Sequence, residues 1–302
     1  MVSEHLTVFR NKPVQEYSPA TGIADPINTV YRIAISYDNE DVTIEQLIDA
    51  FAADPKAGQV EELIIGQFST EMDNSTDVVM KLISHRTLFK GLKALFIGDI
   101  TYEECEISWI KQENMEPLLE AYPGLVHFQV RGGEDLAFGN LQHDQLQTLI
   151  VETGGMPPNV IKEISAARLP NLERLDLWLG SENYGFASGV EDFDSLLSGK
   201  TFPKLTHLGL MNSEIQDDLA IAVSTAPVLQ QLKVLDLSMG TLSDEGAKAL
   251  LNSPGIRQLT FLNLRRHYLS EDMMQQLQSL GVGINVDDRQ TDDEYRYAEV
   301  TE

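Results

Sequence analysis

The chain has 302 residues, 42% of them hydrophobic, which is enough for a sizeable core, and its 22 Lys and Arg stand against 47 Asp and Glu for a net charge of −25. That field repels nucleic acid and anionic membranes at long range and favours a basic partner, while also serving solubility. No apolar stretch nears the roughly 20 residues a membrane helix needs, no basic stretch with an apolar run opens the chain as a secretory leader would, and the lone Cys105 forms neither an internal disulfide nor a zinc site by itself, so a cytoplasmic setting is expected.

Residues 1–29 precede the first periodic segment and are expected to form an N-terminal cap on the periodic array. From Val30 an apolar-x-x-apolar-x-apolar pattern recurs, at Val30/Ile33/Ile35, Val60/Leu63/Ile65, Leu92/Leu95/Ile97, Leu125/Phe128/Val130 and Leu146/Leu149/Val151. It becomes strictly leucine at Leu172/Leu175/Leu177, Leu205/Leu208/Leu210, Leu232/Leu235/Leu237 and Leu259/Leu262/Leu264, and Ile284 with Val286 makes a truncated last copy. The middle residue of each triplet, the marker of its unit, returns about every 28 positions, a period of stacked repeats. The second and third apolar residues lie two apart, so they share one face of a short strand.

Helically spaced segments follow the strands. Thr43–Phe51 is one, Leu242–Leu251 is another with Ser243 as N-cap, and Ser270–Leu277 repeats the arrangement. Phe128 and Leu149 are only 21 residues apart, which leaves room for little or no helix. Strand, helix, strand at this period implies right-handed parallel crossovers. Packed helices need about 8–10 Å each and strands about 4.8 Å, so the array curves with the strands inside. The expected architecture is an α/β solenoid over residues 30–286, with about ten parallel strands on the concave face and helices on the convex face. Residues 287–302 are acidic, lack apolar periodicity and are expected to form a mobile tail.

The run Leu235-Asp-Leu237-Ser-Met-Gly-Thr-Leu242-Ser-Asp-Glu-Gly246-Ala-Lys-Ala-Leu250 resembles the unit of ribonuclease-inhibitor-like leucine-rich-repeat proteins. The resemblance covers roughly residues 30–286 and implies a horseshoe. Ser108-Trp-Ile-Lys-Gln, Leu118-Leu-Glu-Ala-Tyr-Pro123 and Val130-Arg-Gly-Gly133 further resemble an uncharacterised bacterial family of such proteins, which brings no activity with it. One departure stands out. The Asn usual five residues after the marker is replaced by Gly180, Ser213, Gly240 and His267, which puts its backbone ladder in doubt and suggests that glycine permits a tight turn with positive φ.

The repeat assigns inner-face columns one before, one after and three after each marker. They place Arg131, Glu152, Arg174, Asp176, Trp178, His207 and Met211 on one mixed central surface, with Arg265 further along. Trp, Arg and Met suit a contact surface, although Trp178 folded onto its neighbouring loop would be local packing. Ile64, Phe96 and Ile150 form either an apolar groove for a ligand or a seat for the N-terminal segment. Two long insertions, Gly98–Glu113 and Trp178–Asp192 with Tyr184 and Phe186, share one rim with the glycine pairs at 132–133 and 154–155.

Chemistry-bearing motifs are missing. There is no His-Glu-x-x-His, phosphate-binding loop, dinucleotide loop or Gly-x-Ser-x-Gly elbow. His127 and His207 lie about 14 Å apart along such a sheet, too far for one metal. Glu152 and Asp176 read as a solvated acidic face, and the glutamates beside Cys105 raise its thiol pKa. The reading is a non-enzymatic protein-binding module without cofactor or metal. Phe96, Arg131, Glu152, Arg174, Asp176, Trp178, Tyr184, His207, Met211 and Arg265 are its contact residues, and a basic protein surface is its complement. The alternative is a small-molecule or peptide sensor with its pocket around Phe96 and Ile150.

Overall fold

The computed structural model describes residues 1–36, 42–291 and 295–302. Ten short strands carry the repeat: β3 (Val30–Ile33), β4 (Glu62–Ile65), β5 (Ala94–Ile97), β6 (His127–Arg131), β7 (Thr148–Glu152), β8 (Arg174–Gly180), β9 (His207–Ser213), β10 (Val234–Asp236), β11 (Phe261–Asn263) and β12 (Gly283–Asn285). They pair in parallel, each with the next in sequence. The N-terminal cap adds β1 (Val8–Phe9) and β2 (Lys12–Glu16), making one open sheet of 12 strands among the described residues. β1 and β2 form the antiparallel hairpin, turning through Arg10 and Asn11 at φ 46° and 68°, the left-handed pair a two-residue hairpin needs. β2 then joins β3 in parallel.

The register follows the marker column: Leu63, Leu95, Phe128, Leu149, Leu175, Leu208, Leu235, Leu262 and Ile284 stand side by side. The first unit departs from expectation, since Tyr31 rather than Ile33 pairs with Leu63. A slip of two keeps the same face inward, so the apolar pattern alone does not distinguish the registers. Tyr31 is tolerated in the core because its hydroxyl accepts from the backbone N–H of Ala24 and Asp25 at 2.8 and 3.0 Å.

Among the described residues eight α-helices occupy the other side of the core: α1 (Ile44–Ala53), α2 (Thr76–Ser84), α3 (Glu116–Ala121), α4 (Pro158–Ala166), α5 (Asp194–Leu197), α6 (Gln216–Thr225), α7 (Asp244–Asn252) and α8 (Glu271–Gln278). None lies between β6 and β7, as the short interval requires. Thr43 and Gln46 form a capping box on α1, and Ser243 and Ser270 cap α7 and α8 by accepting from Glu245 N and Met273 N. The marker leucines, Leu250 of α7 and Leu277 of α8 are buried in one continuous core, with Leu251 packed half-buried against it. Helices and core thus hold the inner face rigid.

The missing asparagines are replaced piecemeal. His267 is buried, accepts from Leu269 N through Nδ1 and donates to Val286 O through Nε2 at 2.9 Å. Thr241 N and its hydroxyl both donate to Ser213 O. Gly180 has φ 75°, and a Cβ there would lie 1.8 Å from Gly154 O, so only glycine fits. In the last units the left-handed residue sits four after the marker, at Asn212, Met239, Arg266 and Asp288.

The segment expected to be a mobile tail is placed otherwise over 295–302. Ala298 and Val300 are buried on the rim, and Asn212 bonds both N and O of Val300. The two apolar side chains are two apart and so share one face of an extended segment, a signal too short to register as periodicity.

Candidate partner-binding surface

Along β3 to β6 the inner face is covered by the chain itself. Phe9 of the hairpin sits on Phe96 with ring centroids 6.4 Å apart and meets His127 edge-on at 5.1 Å. Val30, Ile64 and Ala94 complete this second apolar cluster, and Phe96 is 0% exposed. Lys12 and Arg10 fasten the hairpin to the buried Glu62 at 3.2 and 3.4 Å. Of the two uses open to Ile64 and Phe96, the seat for the N-terminal segment is the one realised. Phe96 therefore does not meet solvent, and Phe9 fills the place a ligand in that groove would take.

The covering segment also closes a polar network. Asp99, 0% exposed, accepts from Leu6 N at 3.2 Å and from Arg32 at 3.0 Å, with Arg131 Nη1 3.7 Å away. Arg131 donates to Glu152 at 2.7 Å and to Ile100 O at 2.9 Å, and its guanidinium lies over the Phe96 ring at 5.3 Å. Gln129 donates to the other Glu152 oxygen at 2.7 Å. Arg131 and Glu152 are thus brought together, but as a buried pair with its partners supplied internally. Such a pair costs desolvation and contributes mainly when intact. Glu152 is not on a solvated face. Asp99 was missed by sequence reasoning; its signal is a lone carboxylate after Gly98, at the end of an apolar strand.

Burial pushes the His127 imidazole down to about 4, helped by the positive charge of Arg10, so the ring is neutral near pH 7. At Cys105, burial more than Glu106 and Glu104 pushes the thiol up.

The inner face opens from β8 onward. Arg174 donates to Asp176 at 2.8 Å and His207 Nε2 stands 3.0 Å from the other Asp176 oxygen. Burial alone would raise the Asp176 carboxyl, but the His207 imidazole and the Arg174 charge hold it below its ordinary value. Asp176 is buried while the Arg174 side chain is 47% exposed. Further along, Val234 is half-buried and Phe261 is 38% exposed. Trp178 and Met211 pair across β8 and β9, half-buried, each with part of its side chain against the core. Trp178 is therefore both packing and surface.

Tyr184 and Arg265 lie apart from this patch. Both engage the C-terminal segment: the Tyr184 hydroxyl donates to Glu302, and Arg265 Nη2 donates to both Glu299 oxygens at 2.7 and 2.6 Å. The two insertions do share a rim, where Ser108, Gly133, Glu134, Gly154, Pro157 and Tyr184 are among the residues lining a cleft of about 320 Å³. Among the described residues no group of three or more His, Cys, Asp or Glu side chains is arranged to hold a metal ion, and no helix is long and apolar enough to cross a membrane.

Repeating parallel strands, a leucine-lined core and a helix layer define a leucine-rich-repeat α/β solenoid. The chain belongs to the same family as a Bacteroides fragilis protein known from a structural-genomics crystal structure: the two are 35% identical, the match covers 90% of this chain and 77% of that one, and the TM-score is 0.83. An internalin of Listeria monocytogenes is 16% identical over 78% of this chain and 56% of its own, with a TM-score of 0.42. No protein-family model matches the sequence, and no curated protein does.

Proposed function

We propose that this protein is a non-enzymatic docking module that holds a partner protein on the C-terminal half of its inner face. One observation carries the reading. The inner-face position just before the marker changes from buried at Ala94 and His127 to exposed at Arg174 and Phe261, while the backbone scaffold stays the same. An exposed arginine and an exposed phenylalanine on a rigid sheet suit a contact centre, with Trp178, His207, Val234 and Met211 between or beside them. The net charge of −25 favours a basic complement and disfavours nucleic acid and anionic membranes. Cys105 without a partner thiol fits a cytoplasmic setting. The leucine spacing and the helix in most units support the ribonuclease-inhibitor-like subclass.

Affinity capture from the native cell tests the proposal. The wild-type chain should retain a stoichiometric partner, and Arg174→Ala combined with Phe261→Ala should lose it while melting as the wild type does. Undiminished capture by the double variant rejects this face as the docking surface.

A further inference from the structure

The C-terminal segment is bound in the manner of an extended peptide ligand. Its backbone is held at Tyr297, Glu299 and Val300. Tyr297 N donates to the Tyr268 hydroxyl at 3.2 Å, and Tyr297 O accepts from Arg266 at 2.8 Å. Glu299 N donates to Met239 O at 2.8 Å, and Glu299 O accepts from the Met1 amino group at 3.1 Å. Val300 N donates to Asn212 Oδ1 at 2.8 Å, while Asn212 Nδ2 donates to Val300 O. Alternate side chains divide by face: Ala298 and Val300 are buried, whereas Glu299 points to Arg265 and Tyr297 stays exposed beneath the Arg266 guanidinium.

Main-chain bonds that supply affinity, with pockets for every second side chain that supply selectivity, are the signature of strand-like peptide recognition. Asn212, Met239 and Arg266 belong to consecutive repeats and hold the same left-handed turn, so the receptor is a regular feature of the rim, not an accident of one loop. Asn212 is fully buried under the segment, and its amide also donates to Thr153 O. Only two small side chains are buried by the segment, and most of its contacts are hydrogen bonds and the Arg265–Glu299 ion pair, which a peptide making the same contacts can replace.

We propose that the rim spanning Asn212, Met239 and Arg266 is a binding groove for an extended peptide of the pattern small–acidic–aliphatic, and that residues 297–300 occupy it in cis as an exchangeable pseudo-ligand. A partner carrying that pattern competes with the chain's own segment. The groove lies on the rim and stands or falls independently of the inner-face docking surface.

The test removes residues 295–302 and adds back a labelled synthetic peptide of that sequence, read by fluorescence anisotropy. Saturable binding to the truncated protein is expected. It should weaken roughly tenfold or more in the full-length chain, where the tethered segment competes at high effective concentration. Asn212→Ala in the truncated protein, or Val300→Asp in the peptide, should weaken it at least as much. Absence of saturable binding to a folded truncated protein, or equal binding of the Val300→Asp peptide, overturns the proposal. If truncation unfolds the protein, hydrogen exchange on full-length Asn212→Ala decides: protection lost only over 295–302 supports an exchangeable segment, and protection lost throughout the solenoid overturns it.

Discussion

The inner faces of the first and last repeats are built on one backbone pattern and meet opposite fates. From β3 to β6 the outward positions hold Ile64, Ala94 and Phe96, and a hairpin from the cap lies on them with Phe9 at its centre. From β8 onward the same columns hold Arg174, Asp176, His207, Asp236 and Asn263, and the apolar side chains among them, Trp178, Met211, Val234 and Phe261, stay half-buried or exposed. The scaffold fixes where side chains point; the residues filling the columns decide whether the face becomes a second core or a surface. The border is the buried network of Asp99, Arg131 and Glu152, to which the covering segment adds the Leu6 N–H.

That contrast can be broken most strongly at the border. Arg131→Ala leaves Glu152 and Asp99 buried without their shared cation, and urea unfolding should show a loss of about 3–5 kcal/mol. A loss under 1 kcal/mol would mean that the network is solvated and the N-terminal half is not sealed.

Acid should act on the sealed half next. The His127 pKa falls from 6.5 in the unfolded chain to about 4 in the folded one. Its contribution is therefore complete above pH 6.5 and is lost as pH falls through that value toward 4. Between pH 7 and pH 5 the change amounts to about 2 kcal/mol. His143 and His267, also held low by burial, add in the same direction. Denaturation midpoints of His127→Gln should accordingly keep a reduced slope with pH; an unchanged slope would remove His127 from the account.

The smallest effect belongs to the open half. Phe261→Ala should shift thermal stability by less than about 1 kcal/mol, measured by calorimetry, because the side chain is already 38% exposed. A larger loss would show that β11 has a covered inner face after all.

Much of the fold was legible from the sequence because the signal is local and repeated: the marker leucines, the serine caps on α7 and α8 and the helix-free unit after Phe128 all follow from spacing. The first register slipped by two because Tyr31 and Ile33 face the same way, and periodicity does not separate them. The site was read less well. Spacing assigns Arg131, Glu152 and Asp176 to the inner wall, but whether that wall is wet around Phe96 and Asp99 depends on Phe9 and Leu6, more than eighty residues away in sequence. Arg265 and Tyr184 were singled out as contacts for another molecule; both grip the chain's own end instead. No single-residue signal marks such long-range closure.

The left-handed residues four after each marker in the last units carry one more consequence. Asn212, Met239, Arg266 and Asp288 have φ between 54° and 67°, a region that β-branched side chains enter only at a steep steric penalty. Their chemistry differs at every step while their shape does not. Each is a slot of fixed geometry with an interchangeable label, closed to valine, isoleucine and threonine but open to amide, thioether, guanidinium or carboxylate. On the proposed groove the side chain at each step thus differs while the backbone turn beneath it stays the same.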